Sequence, residues 1–295
     1  MTSAGPLEIV PLEAWDAPIA AAVGERAVAA LEQGRVVFLP RLAFGLGAEE
    51  QRLLAVSAAD ASRKNISFDP ASGRCHGTTA TGEELARLGA MLDRFARLAE
   101  ALVSNLAPDW APHLERARTS FRPAEIEGRS YTPRHDDRLL HVDAFPTRPS
   151  GGRRILRVFA NIAPDGAVRR WRVGEPFADF APRFLGRRRG MLPGEARTLA
   201  WLGLTRGRRS RYDHLMLGLH DAAKLDAHWQ QTSPRHEIGF PAGSAWLCFT
   251  DAVLHAALAG HMALEQTFHL PVEAMRQPEL APLRVLERLT DRRLV

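Results

Sequence analysis

The chain has 295 residues, 45% of them hydrophobic and 25% charged, so it has the composition of a globular protein and can bury a sizeable core. Its two cysteines, Cys75 and Cys248, exclude a disulfide framework and are expected to be free thiols. The N-terminus lacks the pattern of a secretory signal, and the longest run without charged residues or histidine, 238–250, is too short to span a bilayer. We therefore expect a cytoplasmic protein.

Positive charge is concentrated in the middle of the chain. The formal net charge is +5, but residues 122–211 contain twenty arginines, no lysine and nine acidic residues. Guanidinium groups suit forked recognition of carboxylates and phosphates, so an anionic partner is expected. Nucleic acid is not favoured as that partner, because the chain has no helix-turn-helix, zinc-finger, GxGxxG or Walker pattern.

The first part of the chain is predicted to be mainly helical. Its periodic apolar residues indicate three helices and one short buried strand, in the order 20–33 (helix), 35–40 (strand), 48–61 (helix) and 81–106 (helix). Thr81 and Glu84 have the spacing of a capping box, which predicts that the third helix begins there.

The second part of the chain changes to β-rich segments bounded by glycine, proline and polar turns. The clearest strands are expected at 155–162, 244–250 and 264–270, and a helical insertion over about 212–231 interrupts them. Helices followed by strands with long connections favour an α+β fold over a βαβ series. We expect a single domain over 1–295, mainly helical over 1–110 and β-rich over 111–295.

Two His-x-Asp triplets lie close together in the stretch RHDDRLLHVDAF. In an extended strand, the histidine and the aspartate of either triplet would project from the same face and could bind one metal ion, although a surface ion pair would give the same pattern. His135 lies among polar and charged residues that are typical of a solvated loop. His141 and Asp143 are flanked by apolar residues on both sides, which would hold them rigidly. We therefore favour His141 and Asp143 as metal ligands.

A histidine from a distant strand would complete a face of two histidines and one carboxylate, which leaves positions open on octahedral Fe(II). His255 is favoured because it follows a turn, a β-rich strand and a polar break in PAGSAWLCFTDAVLHA. His261 is the weaker alternative. Packing, surface or turn positions are expected for the other downstream histidines, namely His214, His220, His228, His236 and His269.

Nearly the whole chain resembles the Kdo hydroxylases, a family of Fe(II)/2-oxoglutarate-dependent oxygenases that act on 3-deoxy-D-manno-oct-2-ulosonic acid (Kdo) in lipopolysaccharide. The motifs are HVDAFPTRPSGGRRILRVFANI, WRVGEPF, YDHLMLGLHDAAKLDAHWQQ and PAGSAWLCFTDAVLHAALAGHMALEQTF. The resemblance implies a double-stranded β-helix (jelly-roll, cupin-like) core and Fe(II) on His141, Asp143 and His255. It also implies decarboxylation of 2-oxoglutarate and oxygen insertion at C3 of Kdo, with ascorbate as a stimulant.

Two positions in the chain are considered for the residue that binds the distal carboxylate of 2-oxoglutarate. Many such oxygenases use an arginine roughly ten residues after the last histidine, but the first arginine after His255 is Arg276. A basic residue on the strand after His-x-Asp is the other option. Arg157 and Asn161 share one face of that strand, so we predict that Arg157 binds the distal carboxylate and Asn161 donates to the proximal end. Arg122 is a weaker candidate for the same pocket.

The sequence is therefore compatible with two functions. The first is hydroxylation of Kdo-lipid A, with the enzyme bound peripherally to the inner membrane. The arginines of 187–189 and 206–211, which flank the apolar stretches FLG and MLPGEARTLAWLGL, would contact its anionic surface. The alternative is a non-enzymatic, cupin-like protein that binds an anionic glycan or a membrane surface.

Overall fold

The structure is a computed structural model that describes residues 5–55, 65–128, 131–187 and 190–295. Its helices and strands, in chain order, are β1 (Leu7–Ile9), α1 (Ala21–Glu32), β2 (Val36–Leu39), α2 (Ala48–Ala55), β3 (Ile66–Asp69), β4 (Arg74–His76), α3 (Gly82–Leu106), β5 (Glu115–Arg122), β6 (Arg154–Asn161), β7 (Arg169–Gly174), α4 (Phe177–Phe184), α5 (Glu195–Trp201), α6 (Arg211–Leu225), α7 (Ala227–Thr232), β8 (Arg235–Phe240), β9 (Ala245–Phe249), β10 (His255–Ala259), β11 (Ala263–Leu270) and α8 (Pro282–Thr290).

The strands form two sheets that face each other. The large sheet has the order β1-β2-β9-β6-β11-β5-β3-β4, and the small sheet has the order β10-β7-β8. Aromatic side chains fill the space between them: the ring of Trp171 on the small sheet lies 5.0 Å from Phe159 and 5.6 Å from Trp246 on the large sheet. The architecture is the double-stranded β-helix core that the sequence analysis expected.

Strand β6 lies at the centre of the large sheet, between β9 and β11. All eight of its residues are buried, which explains why it reads as a nearly continuous apolar run. Two of the exceptions to that apolar run are arginines, Arg154 and Arg157, so their charges must be balanced inside the protein. The predicted strands at 155–162, 244–250 and 264–270 correspond to β6, β9 and β11.

The N-terminal part packs on the large sheet. The amphipathic helix α3 buries nine residues, and its Leu92 and Phe95 belong to the same hydrophobic cluster as Leu247 of β9 and Phe268 of β11. The sequence analysis predicted one strand here, whereas β1 to β4 all join the large sheet. Strands β1 and β4 lie at its edges, and three or four residues are too few to show a period-two pattern. That the chain is one domain stays a prediction.

Two details of the predicted helices need correction. Thr81 is the N-cap residue of α3, but among the described residues its side chain accepts no capping hydrogen bond. The reason is the backbone: Gly82 has φ +54°, so the first turn does not present its N–H groups to Thr81 in the geometry of a capping box. Helix α2 begins at Ala48 as predicted, and the end predicted at residue 61 lies outside the described residues.

The helical insertion is longer than predicted. The predicted range 212–231 corresponds to α6 and α7, but α4 and α5 precede them, so helical structure begins at Phe177. Pro182 inside α4 and the glycine-rich stretch after it conceal this part in the sequence. Ser210 and Asp213 form a capping box at the start of α6, and Asp213 also accepts a 2.8 Å hydrogen bond from the N–H of Ser150. The insertion is thereby fixed to the loop before β6.

Candidate active site

A cavity of about 410 Å³ lies between the two sheets. Side chains alternate in and out along a strand, so most of the strand residues in the wall are two apart in the sequence. The strand residues in the wall include Arg118, Ser120 and Arg122 of β5, Arg157 and Phe159 of β6, Arg169 and Trp171 of β7, His255 and Ala257 of β10, and Glu265, Thr267 and His269 of β11. The loop before β6 adds His141, Asp143, Phe145 and Arg148.

His141, Asp143 and His255 meet at this wall, and we call them the metal face. His141 and His255 form an isolated antiparallel bridge, with N–H to O=C distances of 3.1 and 2.9 Å, and the N–H of Asp143 donates to the carbonyl of Thr250 at 2.8 Å. The main chain therefore sets the spacing of the three side chains. Their potential ligand atoms lie within 4.8 Å of one another, and the two imidazole centroids are 4.6 Å apart.

Both histidines are held in the tautomer that suits metal binding. Nδ1 of His141 lies 2.7 Å from the carbonyl oxygen of Leu139, and Nδ1 of His255 lies 2.8 Å from that of Val253. A carbonyl only accepts, so each Nδ1 must carry the hydrogen and donate it. The lone pair is then on Nε2, which is left free to bind a metal.

The charge states fit a divalent transition metal. Burial lowers the pKa of both His141 and His255, so both are neutral at pH 7. Burial raises the pKa of the Asp143 carboxyl, but the positive charge of Arg157, joined by the two histidines when they are protonated at low pH, outweighs burial and holds that pKa well below its usual range. Among the described residues, Asp143 Oδ2 has no hydrogen-bond partner, although Arg157 Nη2 lies 3.2 Å away with poor geometry for one. Two neutral imidazoles and one carboxylate with an unused oxygen are a donor set that suits Fe(II).

Two aromatic side chains support the metal face. Trp171 stacks on the imidazole of His255, with centroids 5.2 Å apart and an interplanar angle of 23°. The ring of His220, on α6, forms a T-shaped pair with that of His141 at a centroid distance of 5.4 Å. The sequence analysis gave His220 a packing or surface role, and its contact with a candidate ligand could not be read from the chain.

The rejected histidines lie elsewhere. His135 is exposed in a loop, where its Nδ1 lies 2.8 Å from the hydroxyl of Thr132. His261 is paired with Glu125 and Asp165, each at 3.3 Å. In the described parts of the chain, the metal face is the one cluster of three or more potential ligands. The geometry agrees with the choice of His141 and His255, and their role as ligands stays a prediction.

The arginines proposed for the co-substrate lie in the cavity, but both are paired. Arg157 Nη2 lies 3.2 Å from Asp143 Oδ2, and its Nη1 lies 3.4 Å from Glu265 Oε1. Arg122 Nη2 lies 2.7 Å from the other oxygen of Glu265. Glu265 therefore links the two guanidiniums, and the nearest contact of Arg157 is a candidate metal ligand.

Asn161 differs most from its predicted role. Its Nδ2 donates to the carbonyls of Ala167 and Phe240 at 2.8 and 2.9 Å, and its Oδ1 accepts from the N–H of Ala163 at 3.0 Å. The carboxamide thus ties the end of β6 to the small sheet. It does not belong to the described wall of the cavity, because both of its polar atoms serve the main chain.

Arg169 is the residue that the sequence analysis missed. It is 4% exposed, and Nη1 donates to the carbonyl of Gly260 at 2.9 Å. Within the described residues its Nε is buried without a hydrogen-bond partner, and it forms no ion pair. Burial and repulsion by Arg122 lower the pKa of Arg169 to about 9, which marks a buried cation with too little negative charge around it. The sequence RRWRVG carried a signal for this position: Arg169 is two residues before Trp171 and so lies on the same, buried face of β7.

Comparisons with known proteins show the family of the chain. Residues 14–293 match the family described as 3-deoxy-D-manno-oct-2-ulosonic acid (Kdo) hydroxylase. The chain is similar to the Kdo hydroxylase KdoO, a non-heme Fe(II) alphaketoglutarate-dependent dioxygenase, solved with alphaketoglutarate and Fe(III): identity is 44%, coverage is 99% of this chain and 98% of that chain, and the TM-score is 0.95.

Two further KdoO structures, with cobalt(II) and with succinate and Fe(III), are each 45% identical over 99% of this chain and 98% of theirs, with TM-scores of 0.96 and 0.94. No curated protein matches the chain. A family match over nearly the whole sequence, a double-stranded β-helix and a metal face of the appropriate chemistry lead to one assignment. This chain belongs to the Kdo hydroxylase family of Fe(II)/2-oxoglutarate-dependent dioxygenases.

Proposed function

We propose that the protein hydroxylates C3 of a Kdo residue in the inner core of lipopolysaccharide, with Kdo-lipid A as acceptor and with Fe(II), 2-oxoglutarate and O2. The observation that carries this proposal is the metal face, where two neutral histidines and a charged aspartate offer ligand atoms within 4.8 Å of one another. The family supports Kdo as the sugar, and the relative KdoO supports iron and 2-oxoglutarate as reagents. Ascorbate is expected to stimulate turnover.

In this proposal, His141, Asp143 and His255 hold the iron. When bound, Fe(II) supplies the coordination positions at which 2-oxoglutarate and O2 react. The protein's own contribution is to fix the ligands: the two Nδ1 hydrogen bonds orient the imidazoles, and Arg157 keeps Asp143 charged. The apolar rings of Phe159 and Trp171 line the cavity and limit access of water.

For the distal carboxylate of 2-oxoglutarate we now favour Arg169, with Arg122 beside it. We call the part of the cavity that these two arginines line the closed end. Arg169 is the better candidate because it has no carboxylate partner within the described chain, whereas Arg157 contacts Asp143 and Glu265. A carboxylate beside Arg169 would balance its buried charge and could receive a forked pair of hydrogen bonds. Arg157 is then a residue that positions Asp143.

The same proposal places the enzyme at the cytoplasmic surface of the inner membrane. None of the described helices is both long and apolar enough to cross a bilayer. Four large apolar side chains around α5 are exposed: Trp201 at 83%, Leu204 at 56%, Leu202 at 55% and Leu192 at 51%. We call them the apolar ridge. Arg197, Arg206 and Arg208 are exposed near it in the chain, an arrangement that suits an anionic lipid surface.

The other part of the predicted membrane contact has less support. Arg187 is paired with Asp226 at 2.5 Å, so its charge is largely balanced within the protein. Residues 188 and 189 lie outside the described residues. We therefore centre the proposed membrane contact on the apolar ridge and the arginines of 206–211.

The alternative of a non-enzymatic, cupin-like binding protein is not favoured. Such a protein, in which the same three residues would hold a structural metal or none, would need neither open metal positions nor 2-oxoglutarate, whereas the matched family is that of the Kdo hydroxylases. The two functions differ in a product: only the enzyme converts 2-oxoglutarate to succinate when Fe(II), O2 and the acceptor are present.

The test is mass spectrometry of Kdo-lipid A after incubation with the protein, Fe(II), ascorbate and 2-oxoglutarate, together with an assay for succinate. We expect one added oxygen atom on the Kdo and an equivalent amount of succinate. Replacement of the exposed His135 by alanine is the matched control for replacement of His141. An unchanged acceptor after wild-type incubation would contradict the proposed function.

A further inference from the structure

We infer that Arg118 and Arg148 bind the carboxylate of the sugar acid that is hydroxylated. We call the part of the cavity lined by these two residues the open end. The inference rests on the proposed function, and it assigns the acceptor its own anion site, separate from that of 2-oxoglutarate.

Strand β5 carries one arginine at each end of the cavity, so the cavity can hold two separate anions. Arg118 and Arg122 lie on the same face of this strand, four residues apart, and both line the cavity. At about 3.3 Å per residue, their Cα atoms are roughly 13 Å apart. Arg122 lies at the closed end, where it is paired with Glu265 at 2.7 Å. Arg118 is held by a different carboxylate, Asp69, so an anion bound by Arg118 is a different group from the one at Arg169.

The open end has an excess of positive charge. Arg118 lies 3.6 Å from Asp69, and its Nε is buried without a hydrogen-bond partner among the described residues. Arg148 is half-buried and forms no ion pair within the described chain. Arg206 adds a third positive charge: its backbone N–H donates to the carbonyl of Thr147 at 2.8 Å, and its guanidinium is close enough to repel that of Arg148. One carboxylate therefore faces three guanidiniums.

The pKa of Arg148 also indicates an excess of positive charge at the open end. Burial, together with repulsion from Arg118 and Arg206, lowers the pKa of its guanidinium, and the attraction of Asp69 does not compensate. Such a cluster is more stable with an anion between its members than without one.

The neutral residues of the open end suit a polyhydroxylated ligand. Asn65, Ser120 and Thr267 line the cavity and offer one amide and two hydroxyl groups for sugar hydroxyls. Phe145, which lies between Asp143 and Arg148 in the sequence, adds an aromatic ring to the cavity wall. Charged forks, hydroxyl groups and one aromatic ring together match a sugar acid better than a fatty acyl chain.

The bound anion is expected to be the sugar carboxylate and not a lipid phosphate. In a 2-ulosonic acid the carboxyl carbon is two bonds from C3, so a sugar whose C3 reaches the metal face must bring its carboxylate into the cavity. A phosphate on the lipid part is many bonds further from C3 and can remain outside. The cavity volume of about 410 Å³ leaves room for little more than the co-substrate and one sugar.

The experiment measures binding by calorimetry, with 2-oxoglutarate and a redox-inert divalent metal present. The probes are a Kdo disaccharide and its methyl ester, both free of lipid and phosphate. The variants are Arg118→Gln and Arg148→Gln. Arg97→Gln is the matched control, because Arg97 is exposed on α3 and, within the described part of the chain, pairs only with Asp93 at 3.3 Å.

We expect wild type to bind the free acid more tightly than the ester. Each variant should bind the free acid about tenfold to a hundredfold more weakly, the range for loss of a charge-assisted hydrogen bond, and the ester much as wild type does. Half-saturation by 2-oxoglutarate should not change. Variants that bind the free acid like wild type, or that lose affinity only for a phosphate-bearing glycolipid, would overturn the inference.

The same variants separate this inference from the proposed function. If wild type binds the free acid through Arg118 and Arg148 but never hydroxylates Kdo-lipid A, the carboxylate site stands and the proposed reaction is wrong. If wild type hydroxylates the acceptor and both variants saturate at the same acceptor concentration as wild type, the reaction stands and the carboxylate site is wrong.

Discussion

The metal face and the open end of the cavity line the same space but are held in different ways. At the metal face, main-chain carbonyls orient both imidazoles, and Arg157 balances the charge of Asp143. At the open end, Asp69 is paired with Arg118 alone and only weakly offsets the charge of Arg148. A rigid set of ligands suits a reaction in which atoms must be placed within a fraction of an ångström, whereas unbalanced cations suit an anion that arrives and leaves.

The largest expected effect is loss of a metal ligand. His141→Ala, Asp143→Ala and His255→Ala should each abolish turnover and weaken metal binding, because two remaining ligands cannot hold the ion with its open positions in place. Titration with a spectroscopically visible divalent metal checks binding, and succinate release checks turnover. His135→Ala should behave like wild type. If His135→Ala were inactive and His141→Ala active, the choice between the two His-x-Asp triplets would be wrong.

The next effect concerns the buried pair that supports the metal face. Arg154 and Asp251 are each 1% exposed and 2.7 Å apart, and Asp251 follows Thr250, whose carbonyl accepts from Asp143. Asp251→Ala should lower the free energy of unfolding by about 3–5 kcal/mol, since it leaves a buried charge without its partner. Chemical denaturation measures this.

The control for Asp251→Ala is an exposed pair. Glu13 and Arg41 are 3.1 Å apart but more than half exposed, so Glu13→Ala should cost at most about 1 kcal/mol. If the two substitutions lowered the free energy of unfolding equally, the buried Arg154–Asp251 pair would stabilise the protein no more than a surface ion pair does.

A smaller effect is expected at the closed end. Arg169→Gln should raise half-saturation by 2-oxoglutarate about tenfold to a hundredfold, because a charge-assisted bond to a carboxylate is worth ~1.5–3 kcal/mol. Arg170→Gln is the matched control, since Arg170 is the next residue of β7, exposed, and paired with Glu127 at 3.6 Å. Arg157→Ala should instead weaken metal binding through Asp143. If Arg157→Ala changed only the use of 2-oxoglutarate and Arg169→Gln changed nothing, Arg157 would be the carboxylate-binding residue as first predicted.

The smallest effect is expected at the membrane. Arg206→Gln and Arg208→Gln should each weaken binding to anionic vesicles roughly fivefold at low salt, because one basic residue near such a surface contributes about 1 kcal/mol. Trp201→Ser should also weaken vesicle binding, and by the same factor at low and high salt, because the contribution of Trp201 is hydrophobic. Sedimentation with anionic and neutral vesicles at two salt concentrations measures both. Equal binding to the two vesicle types would rule out the electrostatic contact.

The sequence predicted the central strands well because their signal is local. Strands β6 and β9 are buried on both faces and therefore appear as largely apolar runs, and β11 is bounded by turn residues. The flanks of His141 distinguish it from His135 without any knowledge of the fold. The edge strands β1 and β4 were missed because three residues carry no period.

The co-substrate site could not be read from the sequence in the same way. Arg157 and Arg169 are both inward-facing arginines on neighbouring elements of the chain, and a single sequence cannot tell which of them is already balanced by a carboxylate. That difference depends on Asp143 and Glu265, which reach Arg157 only after the strands have paired. Asn161 was assigned to the cavity on the alternation of β6 alone, but its carboxamide turns to the main chain at the end of the strand.

The central claim is that the metal face directs one oxygen atom of O2 into a Kdo acceptor while 2-oxoglutarate becomes succinate. The most direct measurement is incubation of the protein with Fe(II), 2-oxoglutarate and Kdo-lipid A under heavy-isotope dioxygen, followed by mass spectrometry of both products. The account predicts one heavy oxygen atom in the Kdo sugar and one in succinate, and neither label with His141→Ala. An acceptor that gains no oxygen, or gains one only from water, would contradict it.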